Sequence, residues 1–240
     1  MRFAIFSDIH SNLEALDAVI TDARERRCTH FVCLGDVVGY NANPRECIER
    51  VRELDCPVVK GNHDEQATFP ASSERFNELA ERAINWTRER LTDQDTEWLR
   101  SLPLQRQVHD FTIVHATLDT PGQWSYVFNN LDALASFTYQ QTAVCFFGHT
   151  HVPMTFVRNE AVRRETGENI RLEAVKKYFI NVGSVGQPRD GDWRAAYRIY
   201  DVENNLVELF RIKYDLAAAQ KKITKAGLPR LLAERLAMGR

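Results

Sequence analysis

A chain of 240 residues with 44% hydrophobic side chains is long enough to bury a complete core, and it fits one large domain or two small ones. Its formal charge of -2, spread over interspersed acids and bases, excludes a broad electrostatic footprint for nucleic-acid backbones or anionic membranes, so phosphate recognition has to be local. The opening run MRFAIFSD lacks the apolar core of an export signal, and no apolar stretch approaches the roughly 20 residues that span a bilayer, which predicts a soluble cytoplasmic protein.

In chain order, a short apolar strand over Phe3 to Phe6 precedes an amphipathic helix from Asn12 to Arg26. A second strand, Phe31 to Leu34, leads to a helix opened by Asn43 and Pro44 and ending near Leu54, and a third strand is expected over Val58 to Lys60. Two helical patterns fill Ser73 to Leu102, the first apolar at Phe76, Leu79, Ala80, Ala83 and Ile84, the second at Trp98, Leu99 and Leu102. Strands then dominate: Arg106 to His109, Thr112 to His115, Val144 to Phe147, Met154 to Val157, Ile170 to Val175, Tyr178 to Val182, Ala195 to Asp201 and Leu206 to Tyr214. Tight turns are expected at Asp110, at Gly167 to Asn169 and at Asn204-Asn205. The rhythm predicts a mixed α/β fold with two sheets over residues 1–214 and a helical tail over 215–240, split by Gly227 and Pro229 and packed on the body.

Metal-capable residues fall at the ends of the strand-like runs. Asp8, Asp36, Asn62, His115 and His149 each follow one, and groups at the carboxyl ends of strands in an α/β sheet converge on one crevice. Asp8-x-His10 can direct a carboxylate and an imidazole to one side of an extended loop, although an Asp that merely caps the next helix explains it as well. Gly35 permits a turn that presents Asp36, whose two oxygens can bridge two ions. Gly61-Asn62-His63-Asp64 offers an amide oxygen, an imidazole and a carboxylate that can fix the imidazole's tautomer. His115 alone reads equally well as a core histidine, but Gly148-His149-Thr150-His151, two histidines two apart after a buried strand, is hard to explain as packing. His30 and His109 lack such a setting and read as structural, and Cys28, Cys33, Cys47, Cys56 and Cys145, with no paired spacing, read as free thiols.

The blocks Asp8-x-His10, Gly35-Asp36, Gly61-Asn62-His63-Asp64, His115 and Gly148-His149-x-His151, in this order over residues 1–214, resemble the calcineurin-like metallophosphoesterase family. The resemblance implies a four-layer α/β/β/α sandwich of two mixed sheets. It further implies two divalent transition-metal ions roughly 3.5 to 4 Å apart, one held by Asp8, His10, Asp36 and His151 and the other by Asp36, Asn62, His115 and His149. Manganese is the expected metal, with iron, zinc, nickel or cobalt as alternatives for such mixed nitrogen and oxygen donors. Catalysis would run through metal-bound hydroxide, with His63 protonating or stabilising the leaving oxygen and Asp64 orienting His63.

Within the family, the runs Asp8-Ile9-His10-Ser11-Asn12, Gly39-Tyr40-Asn41 and Asn181 to Arg189 are most similar to the small prokaryotic phosphodiesterases and dinucleoside polyphosphate hydrolases. Protein serine/threonine phosphatases and the symmetrical dinucleoside tetraphosphatases usually place an arginine in a GDxVDRG run where this chain reads GDVVGYN. The implied activity is therefore hydrolysis of phosphodiester or phosphoanhydride bonds in small nucleotide-like substrates. A phosphomonoesterase is one alternative, and a metal-binding interaction scaffold of the same fold is another, against which an intact His63 argues. Arg189 is the best candidate for a phosphate clamp, its bland alternative being a surface arginine paired to Asp190 or Asp192. Asn12 and Asn41 are further candidates for substrate contact, with helix capping and turn formation as competing explanations.

Overall fold

The computed structural model describes residues 1–69 and 77–240. Strands β1 (Arg2–Phe6), β2 (His30–Cys33), β8 (Asn169–Arg171), β10 (Ala195–Asp201) and β11 (Leu206–Ile212) form one sheet in the order β2-β1-β10-β11-β8. Strands β3 (Gln105–Val108), β4 (Phe111–Val114), β5 (Val144–Phe147), β6 (Met154–Arg158), β7 (Val162–Glu165) and β9 (Lys177–Asn181) form a second, in the order β3-β4-β5-β9-β6-β7. Both sheets are mixed: β1 and β2 run parallel, as do β4, β5 and β9, and the remaining pairs are antiparallel.

The central strands bury both faces, so they read as unbroken apolar runs rather than as alternation with polar residues. Phe3, Ile5, Val32, Leu34, Phe111, Ile113, Val144, Phe146, Tyr178 and Ile180 fill the layer between the sheets. Their chain neighbours point outward onto helices. Ala4, Phe6, Cys33, Tyr197 and Ile199 meet α1 (Leu13–Glu25), α2 (Pro44–Glu53), α4 (Glu78–Arg88), α5 (Asp93–Ser101), α7 (Leu216–Lys225) and α8 (Arg230–Met238). On the other side Val114, Cys145, Phe147 and Phe179 meet Ala133 and Phe137 of α6 (Asn130–Tyr139). The result is the expected four-layer α/β/β/α sandwich.

Several elements differ from the sequence reading. Val58 to Lys60 contributes only a single bridge, Cys33 to Val58, because the segment turns directly into α3 (Asn62–Thr68). That helix is unannounced in the sequence: NHDEQAT carries no apolar stripe, and it is started by the Asp64 carboxylate accepting from Gly61 N at 3.0 Å. Helix α6 is capped by Asn129, yet Leu131, Leu134 and Tyr139 stay exposed and blur the apolar stripe made by Ala133 and Phe137. The charged edge strand β7, VRRE, lacks alternation altogether. The beginning of the first predicted helical pattern, Ser73 to Phe76, lies outside the described residues. The tail does fold back on the body: Ala219, Ile223, Leu228, Leu232 and Leu236 join the core beneath α1, and Trp86 Nε1 donates to Ala226 O at 3.0 Å. Among the described residues no helix is long and apolar enough to cross a membrane.

Candidate metal centre

The ends of β1, β2, β4 and β5 meet at one rim, and the loops leaving them continue the strand pairing. Asp8 N donates to Gly35 O, His10 N to Asp36 O and Gly148 N to His115 O, all at 2.9 to 3.0 Å. The loop after β9 crosses to the other sheet, where Val185 N and Gly186 N donate to Ser7 O and Asp8 O. The extended loop expected around Asp8-x-His10 is not what forms. Asp8, His10, Asp36, His149 and His151 all have positive φ, between 48° and 66°. Each such turn in a residue other than glycine costs about 1 kcal/mol, and here the paired backbones impose it.

These turns bring the candidate ligands together. Asp8, His10, Asp36 and His151 form one buried group and Asp36, His115 and His149 a second, with the offered donor atoms of each group within 4.8 Å of one another. Opposed ligands of a single transition metal lie about 4.4 Å apart at most, twice a bond of about 2.2 Å, so each group approaches the size of one coordination shell. The group shared between the two is Asp36, whose Oδ2 lies 3.6 Å from His10 Nε2 and 3.3 Å from His115 Nε2. Its Oδ1 accepts from His63 N at 2.8 Å. Gly61 permits this approach, since a Cβ there would overlap the Asp36 carboxylate.

The backbone fixes which ring nitrogen faces the centre. Carbonyl oxygens accept from Nδ1 of His10 (Val38 O, 3.2 Å), His115 (Leu34 O, 2.7 Å) and His151 (Gln187 O, 2.6 Å). A carbonyl can only accept, so these Nδ1 atoms carry hydrogen and the Nε2 lone pairs turn inward. His149 is reversed: its Nε2 donates to Trp124 O at 2.8 Å, which leaves Nδ1 toward Asp36 and His115. Asp8 Oδ2 accepts from His149 N at 3.0 Å, while Oδ1 faces His151 Nε2 at 3.2 Å. Asp8 Oδ1, Asn62 Oδ1 and His115 Nε2 are buried without a hydrogen-bond partner among the described residues. A buried set of orphaned lone pairs fits a group of cations, which supplies the charge that no donor does.

Burial works against the ionised Asp8 and Asp36, but the surrounding imidazoles outweigh it and hold both carboxyls below the usual range. The His115 imidazole is likewise disfavoured as a cation by burial, yet Asp36 and Asp8 raise it to about 9. Burial, with the nearby Arg189 cation, lowers His63 to about 4. His63 stands beside the cluster with its ring centroid 4.6 Å from that of His10 and 4.5 Å from that of Tyr40. Gly39 makes room for it, since a Cβ there would lie 2.5 Å from His63 Nδ1. The Asp64 carboxylate accepts from the backbone N–H of Val37, Val38 and Gly61 at 2.9 to 3.2 Å, so it braces the loop carrying Asp36 against the loop carrying Asn62.

A cleft of about 120 Å³ opens over the cluster, with Arg189 in its wall. Arg189 Nη2 donates to Tyr40 Oη at 3.3 Å and to Gln187 Oε1 at 3.1 Å, and Asp190 and Asp192 pair with Arg211 and Arg194 instead. Asn12 and Asn41 stand behind the cleft: Asn12 caps α1 through Ala15 N and donates to Gly186 O, and Asn41 Nδ2 donates to His10 O. His30 and His109 lie apart from the cluster, and all five cysteines are free. The sequence reading missed Trp124, Tyr126, Asn77 and Arg235. Tyr126 and Asn77 line the cleft, as does Arg235 from the tail helix α8, and none of them sits in a motif.

Residues 1–205 match the calcineurin-like phosphoesterase superfamily domain. An uncharacterised protein of Methanocaldococcus jannaschii, MJ0912, is 41% identical over 242 residues, covering 99% of this chain and 98% of that one. A metallophosphoesterase from Sphaerobacter thermophilus, solved as a crystal structure, is 40% identical with a TM-score of 0.88 and covers 100% of this chain and 99% of its own. The hypothetical protein PH1004 from Pyrococcus horikoshii shares the fold at 18% identity, TM-score 0.82, with 100% and 98% covered. This chain belongs to the calcineurin-like phosphoesterase superfamily.

Proposed function

We propose that the protein hydrolyses phosphodiester or phosphoanhydride bonds of small nucleotide-like substrates with two divalent transition-metal ions, in the cytoplasm. One ion would be held by Asp8, His10, Asp36 and His151, the other by Asp36, Asn62, His115 and His149. The observation that carries this reading is the convergence of buried imidazole nitrogens, His10 Nε2 and His151 Nε2 only 3.1 Å apart, on the Asp8 and Asp36 carboxylates. Mixed nitrogen and oxygen donors favour a borderline ion such as manganese over calcium. When bound, the two cations neutralise phosphoryl oxygens and make a nearby water more acidic.

The chain's own residues do the rest. Asp36 ties both halves of the cluster together, and His63 faces the cleft where it can give hydrogen to the leaving oxygen. Arg189, with its Nε buried and, among the described residues, neither a partner for that atom nor a carboxylate on the guanidinium, is suited to a phosphate oxygen. An aromatic ledge supports a substrate that carries a planar ring. Tyr126, 51% exposed, stacks on His149 at 4.3 Å, and Phe128, also 51% exposed, stacks on Tyr126 at 5.6 Å. Free cysteines agree with a reducing compartment.

The test is hydrolysis of bis-p-nitrophenyl phosphate and p-nitrophenyl phosphate after chelation and again with manganese restored, beside a His63→Ala variant. Manganese-dependent cleavage of the diester, at least tenfold weaker in the variant, is the expected result. Cleavage that survives chelation would end the proposal.

A further inference from the structure

The cleft has a second pole opposite the acidic cluster. Arg189 enters from the loop after β9, fixed by its own N–H donating to His151 O at 3.2 Å. Arg235 enters from α8, more than forty residues later in the chain. Neither guanidinium makes an ion pair with an Asp or Glu side chain among the described residues, although acids are close in sequence to both. Asp190 pairs with Arg211, Asp192 with Arg194, and Glu234, next to Arg235, with Arg230 on the preceding turn. Arg235 Nε donates to an oxygen of Arg240, the last residue, at 3.1 Å. Burial and the neighbouring Arg189 both lower the Arg235 guanidinium from its ordinary value. Two guanidiniums therefore share one small cleft with no Asp or Glu side chain paired to either among the described residues.

That arrangement is held in place by packing. Leu232 and Leu236 flank Arg235 on α8 and are buried in the core, and Gly239 O accepts from Gly191 N at 3.0 Å, which fastens the end of α8 to the loop carrying Arg189. A monoanionic diester would be neutralised by the cations of the metal cluster alone. Two further guanidiniums call for additional negative charge a few ångströms from the scissile group.

We propose that Arg189 and Arg235 form a second phosphoryl subsite, so that the C-terminal helix completes the site and the substrate is a phosphoanhydride. Its scissile phosphoryl group lies at the Asp/His cluster and the neighbouring phosphoryl group on the two guanidiniums. This rests on reading the cluster as a metal centre. In the reaction the oxygen of water bonds to the scissile phosphorus, and the bond from that phosphorus to the bridging oxygen breaks. The bridging oxygen leaves with the neighbouring phosphoryl group, and the protons of the water end on the two phosphate products or in solvent.

The test measures binding on the full chain loaded with manganese, by calorimetry with methylenediphosphonate, which cannot be hydrolysed, and with orthophosphate. The wild type should bind the diphosphonate at least about tenfold more tightly than orthophosphate, about 1.4 kcal/mol. Arg235→Gln and Arg189→Gln should each reduce that preference to about threefold or less, and Arg235→Lys should keep part of it. Thermal melts of each variant guard against a folding defect. No preference in the wild type, or a preference unchanged in Arg235→Gln, overturns the subsite. Manganese titration in the same experiment separates the two readings: manganese uptake without a diphosphonate preference removes the subsite alone, and no manganese uptake removes both.

Discussion

His10 Nε2 and His151 Nε2 face each other at 3.1 Å, while the Nδ1 of each ring is committed to a backbone carbonyl. Both atoms are therefore lone pairs in the neutral rings, and two lone pairs at that distance in a buried site repel unless a cation lies on them. Burial lowers both imidazoles from their ordinary value, so a proton is a poor cation for the place. A metal ion on these two nitrogens would relieve the repulsion, so chelation is expected to lower the melting temperature, which calorimetry with and without manganese will check.

Gly39→Ala places a Cβ 2.5 Å from His63 Nδ1 at a backbone φ of +103°. The substitution should cost about 1–3 kcal/mol of stability and displace the His63 ring. Turnover of the diester is expected to fall about tenfold or more while manganese content stays at the wild-type value, as read by elemental analysis beside steady-state kinetics. Wild-type turnover in this variant would mean that His63 has no part in the reaction.

Asp64→Asn replaces one of two oxygens that together accept three backbone N–H groups. The amide nitrogen would leave one of these donors unsatisfied at a cost of about 1.5–3 kcal/mol. Because the carboxylate joins the loops bearing Asp36 and Asn62, manganese affinity should fall together with stability. A loss of turnover with metal affinity and melting temperature unchanged would instead assign Asp64 to orienting His63.

Leu232→Ala, in the tail, removes a fully buried side chain from the core shared with α1. Denaturant unfolding should show a loss of about 2–4 kcal/mol. A tail that only docks a partner would show less than about 0.5 kcal/mol, the scale of an ordinary surface change.

Cys33, Cys47 and Cys145 are buried, and burial holds their thiols well above the ordinary value, while Cys56 is raised to about 12 and Cys28 to about 11. Thiol labelling of the native protein near neutral pH should be slow at all five, and Cys28→Ser with Cys56→Ser should leave manganese content unchanged. Loss of metal on either substitution would point to a thiolate site.

How far the sequence could be read depended on whether a residue acts through its own side chain or through its backbone. The strand ends were legible because Phe6, Cys33, Val114 and Phe147 close short apolar runs, and the residues just beyond them are Asp and His. The turn that lets Asp8 and His10 converge was not, because alternation along a strand suggests an extended loop and nothing local announces a left-handed aspartate imposed by pairing with Gly35 and Asp36. Carbonyl partners such as Gln187 O and Trp124 O leave no trace in residue identity. Arg189 stood near a glycine-rich block and could be singled out, whereas Arg235 sits in a basic amphipathic helix, and only the packing of Leu232 and Leu236 turns it toward the cleft.

The most direct measurement is metal content after chelation and dialysis against manganese, for the wild type and for His151→Ala. Two ions per chain in the wild type and about one in the variant are the predicted result, since His151 serves one of the two groups that share Asp36. A folded wild type that takes up no divalent ion would contradict the account, because the facing imidazoles would then be satisfied without the cations on which the proposed hydrolysis depends.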